Sequence, residues 1–278
     1  MLTLDPKELE IPQLHRYLLG AIGPRPIAFA STIDTDGVAN LSPFSFFNVF
    51  SANPPIMVFS PARSGRTGAT KNTLDNVKNI KEVVINVVNH DIVQQMSLSS
   101  SPYESNVDEF VKAGLTPVES ELIKPFRVKE SPVQFECKVN EIVELGQGGG
   151  AGNLVICEVV KIHINEHVLD ANGMIDQHKI DLVSRMGGNW YCRADKNSMF
   201  EIQKPITTIG IGVDQIPAEI RNSTVLTGND LGLLGSVEAI PSAGEVSGFD
   251  VPSGENHRVA QSFIEQGKVL DAWKVLLK

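Results

Sequence analysis

A chain of 278 residues with 42% hydrophobic residues carries enough apolar surface for a core of full domain size. Its formal net charge of -9 argues against general nucleic-acid binding, which needs a basic face, and no apolar run is long enough to span a bilayer. The three cysteines, Cys137, Cys157 and Cys192, are odd in number and form no C-x-x-C pair. They therefore suggest buried small hydrophobes in a reducing cytoplasm, not a disulfide framework. The first ten residues, MLTLDPKELE, are acidic and lack the basic-then-apolar pattern of a signal peptide.

Along the chain, Gln13 to Ile22 reads as a helix broken by Gly23, Pro24 and Pro26. Ile27 to Ile33 is an apolar strand, Asp34 to Gly37 its turn, and Val38 to Leu41 begins the partner strand. Ile56 to Ser60 is a further short strand, entered through Asn53-Pro54-Pro55. Leu74, Val77 and Ile80 share one helical face, which predicts a helix over 73–81 with Asn72 or Thr73 as its N-cap. Glu82 to Val88 returns to strand, and Asp91 to Leu98 and Val107 to Ala113 read as short helices. Two long strands, Val133 to Leu145 and Asn153 to Ile164, flank a glycine-rich turn over 146–152. Hairpin-like turns and few long helices predict an antiparallel sheet or barrel, mainly β with peripheral helices. Composition shifts near Asp195, which predicts a domain over 1–195 and a C-terminal extension over 196–278, packed on the barrel or on a partner subunit. The stretch from Glu255 to Lys278 has helical spacing, with Ser253 or Gly254 as its cap.

The strongest local signal is the loop from Pro61 to Thr73. It holds three cations (Arg63, Arg66, Lys71), four hydroxyls (Ser64, Thr67, Thr70, Thr73) and two glycines in thirteen residues, with no acid. It runs into a predicted helix N-terminus, where free N–H groups and the helix dipole favour an anion. Arginine adds a fork matched to phosphate, and lysine a mobile charge. A solvated basic loop is the plain alternative, less fitting in a net-acidic chain. Just upstream, Asn40-Leu41-Ser42-Pro43-Phe44-Ser45-Phe46-Phe47-Asn48 interleaves polar groups with aromatic rings. A flavin ring, with polar edges and an apolar middle, needs that mixture; a strand with alternating burial would also produce it.

Three other patterns carry less. Gly146-x-Gly148-x-x-Ala151 matches a dinucleotide fingerprint in form, but a strand-like run follows it where that motif requires a helix, so a hairpin tip is the reading. His163 and His167 lie in a strand-like run and have no zinc-motif partners, and no G-x-S-x-G elbow is present.

Taken together, Arg25-Pro26-Ile27-Ala28-Phe29-Ala30-Ser31-Thr32, Asp36-Gly37, the tract from Asn40 to Phe47, Lys71-Asn72-Thr73-Leu74-Asp75-Asn76-Val77, Glu130-Ser131-Pro132 and Arg185-Met186-Gly187-Gly188-Asn189-Trp190-Tyr191 resemble the flavin reductase-like family with the FMN-binding split-barrel fold. The resemblance covers most of residues 10 to 195. It implies a Greek-key split β-barrel, a homodimer with FMN near the dimer interface, NADH or NADPH as co-substrate, and a partner oxygenase or other electron acceptor. Carried onto this chain, it implies ring contacts from Asn40, Ser42, Pro43, Phe44, Ser45, Phe46 and Asn48, with Ser60 beyond them. It implies phosphate contacts from Arg63, Arg66, Thr67, Lys71, Asn72 and Thr73. The implied activity is that of an NAD(P)H-dependent flavin reductase or related oxidoreductase, the alternative being a flavin-binding electron carrier without nicotinamide turnover. The pattern assigns no protein residue a catalytic role and no metal. Two positions depart from it: Asn153 stands where many relatives have His, which puts any proton or nicotinamide role of that His in doubt, and Asn72 where many have Asp.

Overall fold

The structure, a computed structural model, describes residues 1–278, which divide into two compact units, Met1–Phe200 and Glu201–Lys278. The first unit is built on one antiparallel sheet of seven strands. These are β1 (Ala28–Ile33), β2 (Ala39–Phe44), β3 (Phe47–Ala52), β4 (Pro55–Phe59), β5 (Glu82–Asn86), and the long β8 (Val133–Glu144) and β9 (Asn153–Ile164). Two residue pairs, β6 (Pro117–Val118) and β7 (Arg127–Val128), form a small separate ladder.

The strand order is β2-β1-β5-β8-β9-β4-β3. That order forces closure. The two outermost strands, β2 and β3, are consecutive in sequence and joined only by Ser45 and Phe46. Laid flat, seven strands would hold their edges roughly 29 Å apart, whereas three Cα–Cα steps reach about 11 Å. The sheet must curl until its edges meet. The β2 and β3 edges are not paired with each other, so the barrel is split at this seam.

Strand periodicity sorts the core into two layers. From β1, Ala28 and Ala30 join Phe44, Phe59, Val83, Ile85, Cys137 and Cys157 inside the barrel. Phe29, from the opposite face, packs with Leu41, Met96 and Phe110. Met96 belongs to α3 (Val93–Ser99) and Phe110 to α4 (Glu109–Ala113), so these helices cover the sheet's outer face. Helix α2 (Asn72–Ile80) places Leu74 and Val77 in the barrel interior. Helix α1 (Ile11–Ala21) buries none of its residues. A short hairpin of β10 (Val183–Arg185) and β11 (Tyr191–Arg193) completes the unit.

Several sequence-based boundaries shift. The first helix starts two residues before Gln13 because Pro12 is accommodated in its first turn, where no backbone N–H is needed. The predicted helix from Asp91 is a 3-10 turn, His90–Ile92, leading into α3, and the helix from Val107 begins at Glu109, capped by Asp108. The strand predicted over Val38 to Leu41 runs on to Phe44. Pro43 is tolerated there because β2 is an edge: Leu41 turns its N–H away from the sheet, and two residues on the missing N–H of Pro43 costs no ladder bond.

The second unit is helical: α5 (Ala218–Arg221), α6 (Gly228–Leu234), α7 (Ala243–Ser247), α8 (Asn256–Glu265) and α9 (Val269–Leu276). It has its own core around Trp273, whose indole N–H donates to the Leu234 carbonyl at 3.0 Å. The helical spacing read from Glu255 onward belongs to two helices. Gly267, at φ +74, breaks the chain between them, and Glu255, not Ser253 or Gly254, is the cap. No helix is long and apolar enough to cross a membrane.

Candidate functional site

Ser60 is the joint of the site. It follows β4 and is buried; its N–H donates to the Phe46 carbonyl at 2.8 Å, and its hydroxyl accepts from the Asn153 N–H at 3.0 Å. The aromatic and hydroxyl tract and the cationic loop therefore meet at one residue, beside the start of β9.

Beyond Ser60 the loop lies against the glycine-rich turn. The Arg63 N–H donates to Ala151 O at 2.9 Å, and the Gly150 N–H donates to Arg63 O at 3.2 Å. Contact is close enough that a Cβ on Gly149 would sit 3.0 Å from Gly65 O and 3.1 Å from Ser64 O. β9 follows this turn directly, so it is a hairpin tip and not a dinucleotide fingerprint. Inside the loop, Gly68 N–H donates to Ser64 O at 2.8 Å and Ser64 N–H to Ala69 O at 2.9 Å. These bonds fix the shape of the loop backbone.

The three loop cations differ. Arg63 is half-buried and ion-paired with Glu144 at 3.1 Å, and it also donates to Gln147 at 3.0 Å. Lys78 approaches the other oxygen of Glu144 at 2.5 Å. Hydrogen bonds from Lys78, then Gln147 and Arg63, hold the Glu144 carboxyl down to about 2. Arg66 and Lys71 are exposed and have no carboxylate within ion-pair distance. Lys71 also occupies the N-cap of α2, and no side chain caps that helix. The expected cap from Asn72 or Thr73 is absent because Asn72 is already helical and the Thr73 hydroxyl turns inward, donating to Asn40 Oδ1 at 2.8 Å.

Asn40 and Thr73 sit in a buried polar network. Asn40 Nδ2 donates to Glu109 Oε1 at 3.0 Å, the Leu41 N–H donates to Glu109 Oε2 at 2.9 Å, and Asn76 Nδ2 reaches Thr32 Oγ1 at 3.1 Å. Burial pushes the Glu109 carboxyl above its ordinary range, against the hydrogen bonds it accepts. The network locks β2 to α2 and α4. Phe44 packs into the barrel against Phe59, with ring centroids 5.6 Å apart. Ser42, Pro43 and Ser45 are half-buried along the free edge of β2, while Phe46 and Asn48 are exposed, Phe46 edge-on to His15 at 6.4 Å. Thr67 lies at the exposed tip of the loop, with its hydroxyl accepting from Ala69 N–H at 3.3 Å.

Two buried polar atoms here lack partners: Nε of Arg63, a donor, and Oδ1 of Asn153, an acceptor. Asn153 is otherwise fixed, its Nδ2 donating to Pro61 O at 2.8 Å. A phosphorylated polyol chain offers acceptor oxygens and donor hydroxyls, which match this unpaired pair. The residues present thus fit the phosphate and chain of FMN. Sequence reading did not find Glu144, Gln147 or Glu109, because nothing local marks them.

A sequence profile of the flavin reductase like domain matches residues 21–181. A protein of Aquifex aeolicus is 36% identical over 189 residues, which is 68% of this chain and 93% of that one. Nitrilotriacetate monooxygenase component B from Bacillus cereus superposes with TM-score 0.68 at 32% identity, over 73% of this chain and 98% of its own. A Shewanella frigidimarina protein with a split barrel domain superposes with TM-score 0.60 at 27% identity, over 71% of this chain and 96% of its own. With the split barrel already described, these matches establish that the chain belongs to the flavin reductase-like family.

Proposed function

We propose that this chain binds FMN and works as an NAD(P)H-dependent flavin reductase or a closely related oxidoreductase. The observation that carries the reading is the cationic loop: unpaired, exposed Arg66, Lys71 at the uncapped start of α2, and an Arg63 whose Nε has no partner. A dianionic phosphate held at this loop would draw on Arg66 and Lys71 through charge-assisted hydrogen bonds and on the helix dipole. Thr67, Asn72 and the backbone of Thr73 would complete that end. Ser42, Pro43, Ser45, Phe46 and Asn48, along the seam, would border the ring, with Ser60 between the two ends. Asn40, Phe44 and the Thr73 side chain would act from behind, holding that wall in shape.

Bound FMN supplies the acceptance of a hydride from a nicotinamide and its onward delivery as electrons. The chain's own part is to fix the ligand, leave one side open and place donors along its polar edge. Asn153 is fully buried and does not titrate near neutral pH, so proton handling at that position is not part of this reading.

The test is an absorbance spectrum of the purified protein with FMN, before and after anaerobic NADH or NADPH. A flavin spectrum that bleaches supports the reductase. A protein that does not bind FMN refutes the whole reading. Tight FMN that nicotinamide fails to bleach supports the second reading, an electron carrier, which the buried Asn153 favours.

We also infer a homodimer and a partner oxygenase or similar electron acceptor. Edge strand β3 exposes Val49 and Phe50, and α1 exposes Ile11, Tyr17 and Leu18, an apolar area suited to a second copy. Sedimentation at twice the 30.2 kDa chain mass supports the dimer; a monomer refutes it. The similarity to a monooxygenase component B supports a partner oxygenase, checked by whether the reduced protein passes electrons to one.

A further inference from the structure

Arg25 is a buried cation that has only neutral oxygens around it. It is 5% exposed and has no carboxylate within 4.0 Å. Its Nη1 donates to Leu19 O at 2.9 Å and to Ile22 O, its Nη2 to Met186 O at 2.9 Å, and its Nε to Ser45 Oγ at 3.5 Å. Its backbone is bridged to Arg185, which adds a second positive charge and no negative one.

Burying a guanidinium without a counter-ion is unfavourable, because the charge loses its hydration and gains no opposite charge. Tying the end of α1 to the turn at Met186 needs donors, which a neutral side chain also has; it does not need a charge. Desolvation, then repulsion from Arg185, lowers the Arg25 pKa, yet the group remains protonated at any ordinary pH. The uncompensated positive charge is therefore permanent, and Ser45 Oγ is the one side-chain oxygen that the guanidinium meets, at 3.5 Å. Because Ser45 Oγ accepts from Arg25, its own O–H is left free to donate to another group. Ser45 lies in the seam between β2 and β3, within the tract assigned above to the ring.

We propose that Arg25 is a positioning residue that acts through Ser45 to favour the reduced, negatively charged form of bound FMN over the oxidised form. This rests on the reading that FMN binds with its ring along the seam. An anion formed there would supply the counter-charge that the fold withholds, and the polarised Ser45 hydroxyl would be the donor that meets it.

The test measures the affinity of the full-length protein for oxidised and for reduced FMN, hence the midpoint potential of the bound flavin, in the parent and in Arg25→Lys, Arg25→Gln and Ser45→Ala. Arg25→Lys keeps the charge and should hold the reduced-to-oxidised affinity ratio within about threefold. Arg25→Gln keeps donors without charge and should lower that ratio tenfold or more, which is about 30 mV or more for a two-electron couple. A folded Arg25→Gln protein that binds oxidised FMN with an unchanged potential overturns the proposal and leaves Arg25 a structural tie. Should Arg25→Gln fail to fold, half-buried Ser45 decides. A threefold or greater loss of the reduced-to-oxidised affinity ratio in Ser45→Ala, whatever happens to the affinity for oxidised FMN itself, supports the proposal, and an unchanged ratio overturns it. Failure of the parent protein to bind FMN is a different result and refutes the underlying reading instead.

Discussion

At the scale of single residues, charge separates the roles of the loop cations in the proposed FMN site. Arg66 and Lys71 are exposed and unpaired, so neither holds the fold together. Replacing either by Ala should weaken FMN binding by about tenfold to a hundredfold, the range for losing one charge-assisted hydrogen bond, while leaving the melting temperature unchanged. Fluorescence titration and thermal melts check both halves. Glu144 acts in the opposite sense, as a carboxylate competing for Arg63. Glu144→Gln should tighten FMN binding by roughly twofold to fivefold, the scale of an exposed ion pair. Its carboxyl is held down to about 2, so its ion pairs stabilise the fold above its unfolded value of about 4.3 and are lost as pH falls through about 2. The difference in melting temperature between parent and Glu144→Gln should stay constant from pH 8 to pH 5 and close as acid is added below that. The cations of this loop were legible in the sequence because they stand out against a net-acidic chain. Their partner was not: Glu144 is 81 residues from Arg63, and only the fold brings the two together. The same holds for Glu109, 69 residues from Asn40, whose network turns Asn40 and Thr73 inward.

At the scale of elements, the glycine-rich hairpin packs against the loop proposed to hold the phosphate. Gly149→Ala would push a methyl against the carbonyls of Gly65 and Ser64, backbone atoms that cannot swing aside. Loss of about tenfold in FMN affinity is expected, with a melting temperature a few degrees lower. Gly148→Ala meets nothing within 4 Å and should match the parent in both measurements. If the two variants behave alike, the hairpin does not shape the loop. Short apolar runs bounded by turn residues made the strands β1, β4, β8 and β9 readable, since Gly, Pro and Asp-Gly punctuation acts locally. Caps were less readable. The hydroxyl that should have capped α2 is drawn to Asn40, a tertiary demand that outweighs a local preference. The C-terminal run of helical spacing hid a break, because Gly267 interrupts the helix while the apolar spacing resumes at Val269.

For the whole molecule, every residue of the proposed FMN site lies in the first unit, and each unit has its own apolar core. A chain ending at residue 200 should therefore fold and bind FMN within about twofold of the full-length affinity, measured by titration calorimetry. A large loss would show that the helical unit contributes to the site. The sequence by itself determined the β-rich class, the cationic loop at a helix start and the mixed aromatic and hydroxyl tract. These follow from local periodicity and local charge, which act between near neighbours. Only the tertiary structure decided that β2 and β3 close the barrel, that Glu144 occupies Arg63, that Asn40 and Thr73 face inward, and that Arg25 is buried against Ser45 without a counter-ion. Those outcomes depend on which distant segments the curling sheet makes adjacent, and no short window of sequence contains that information.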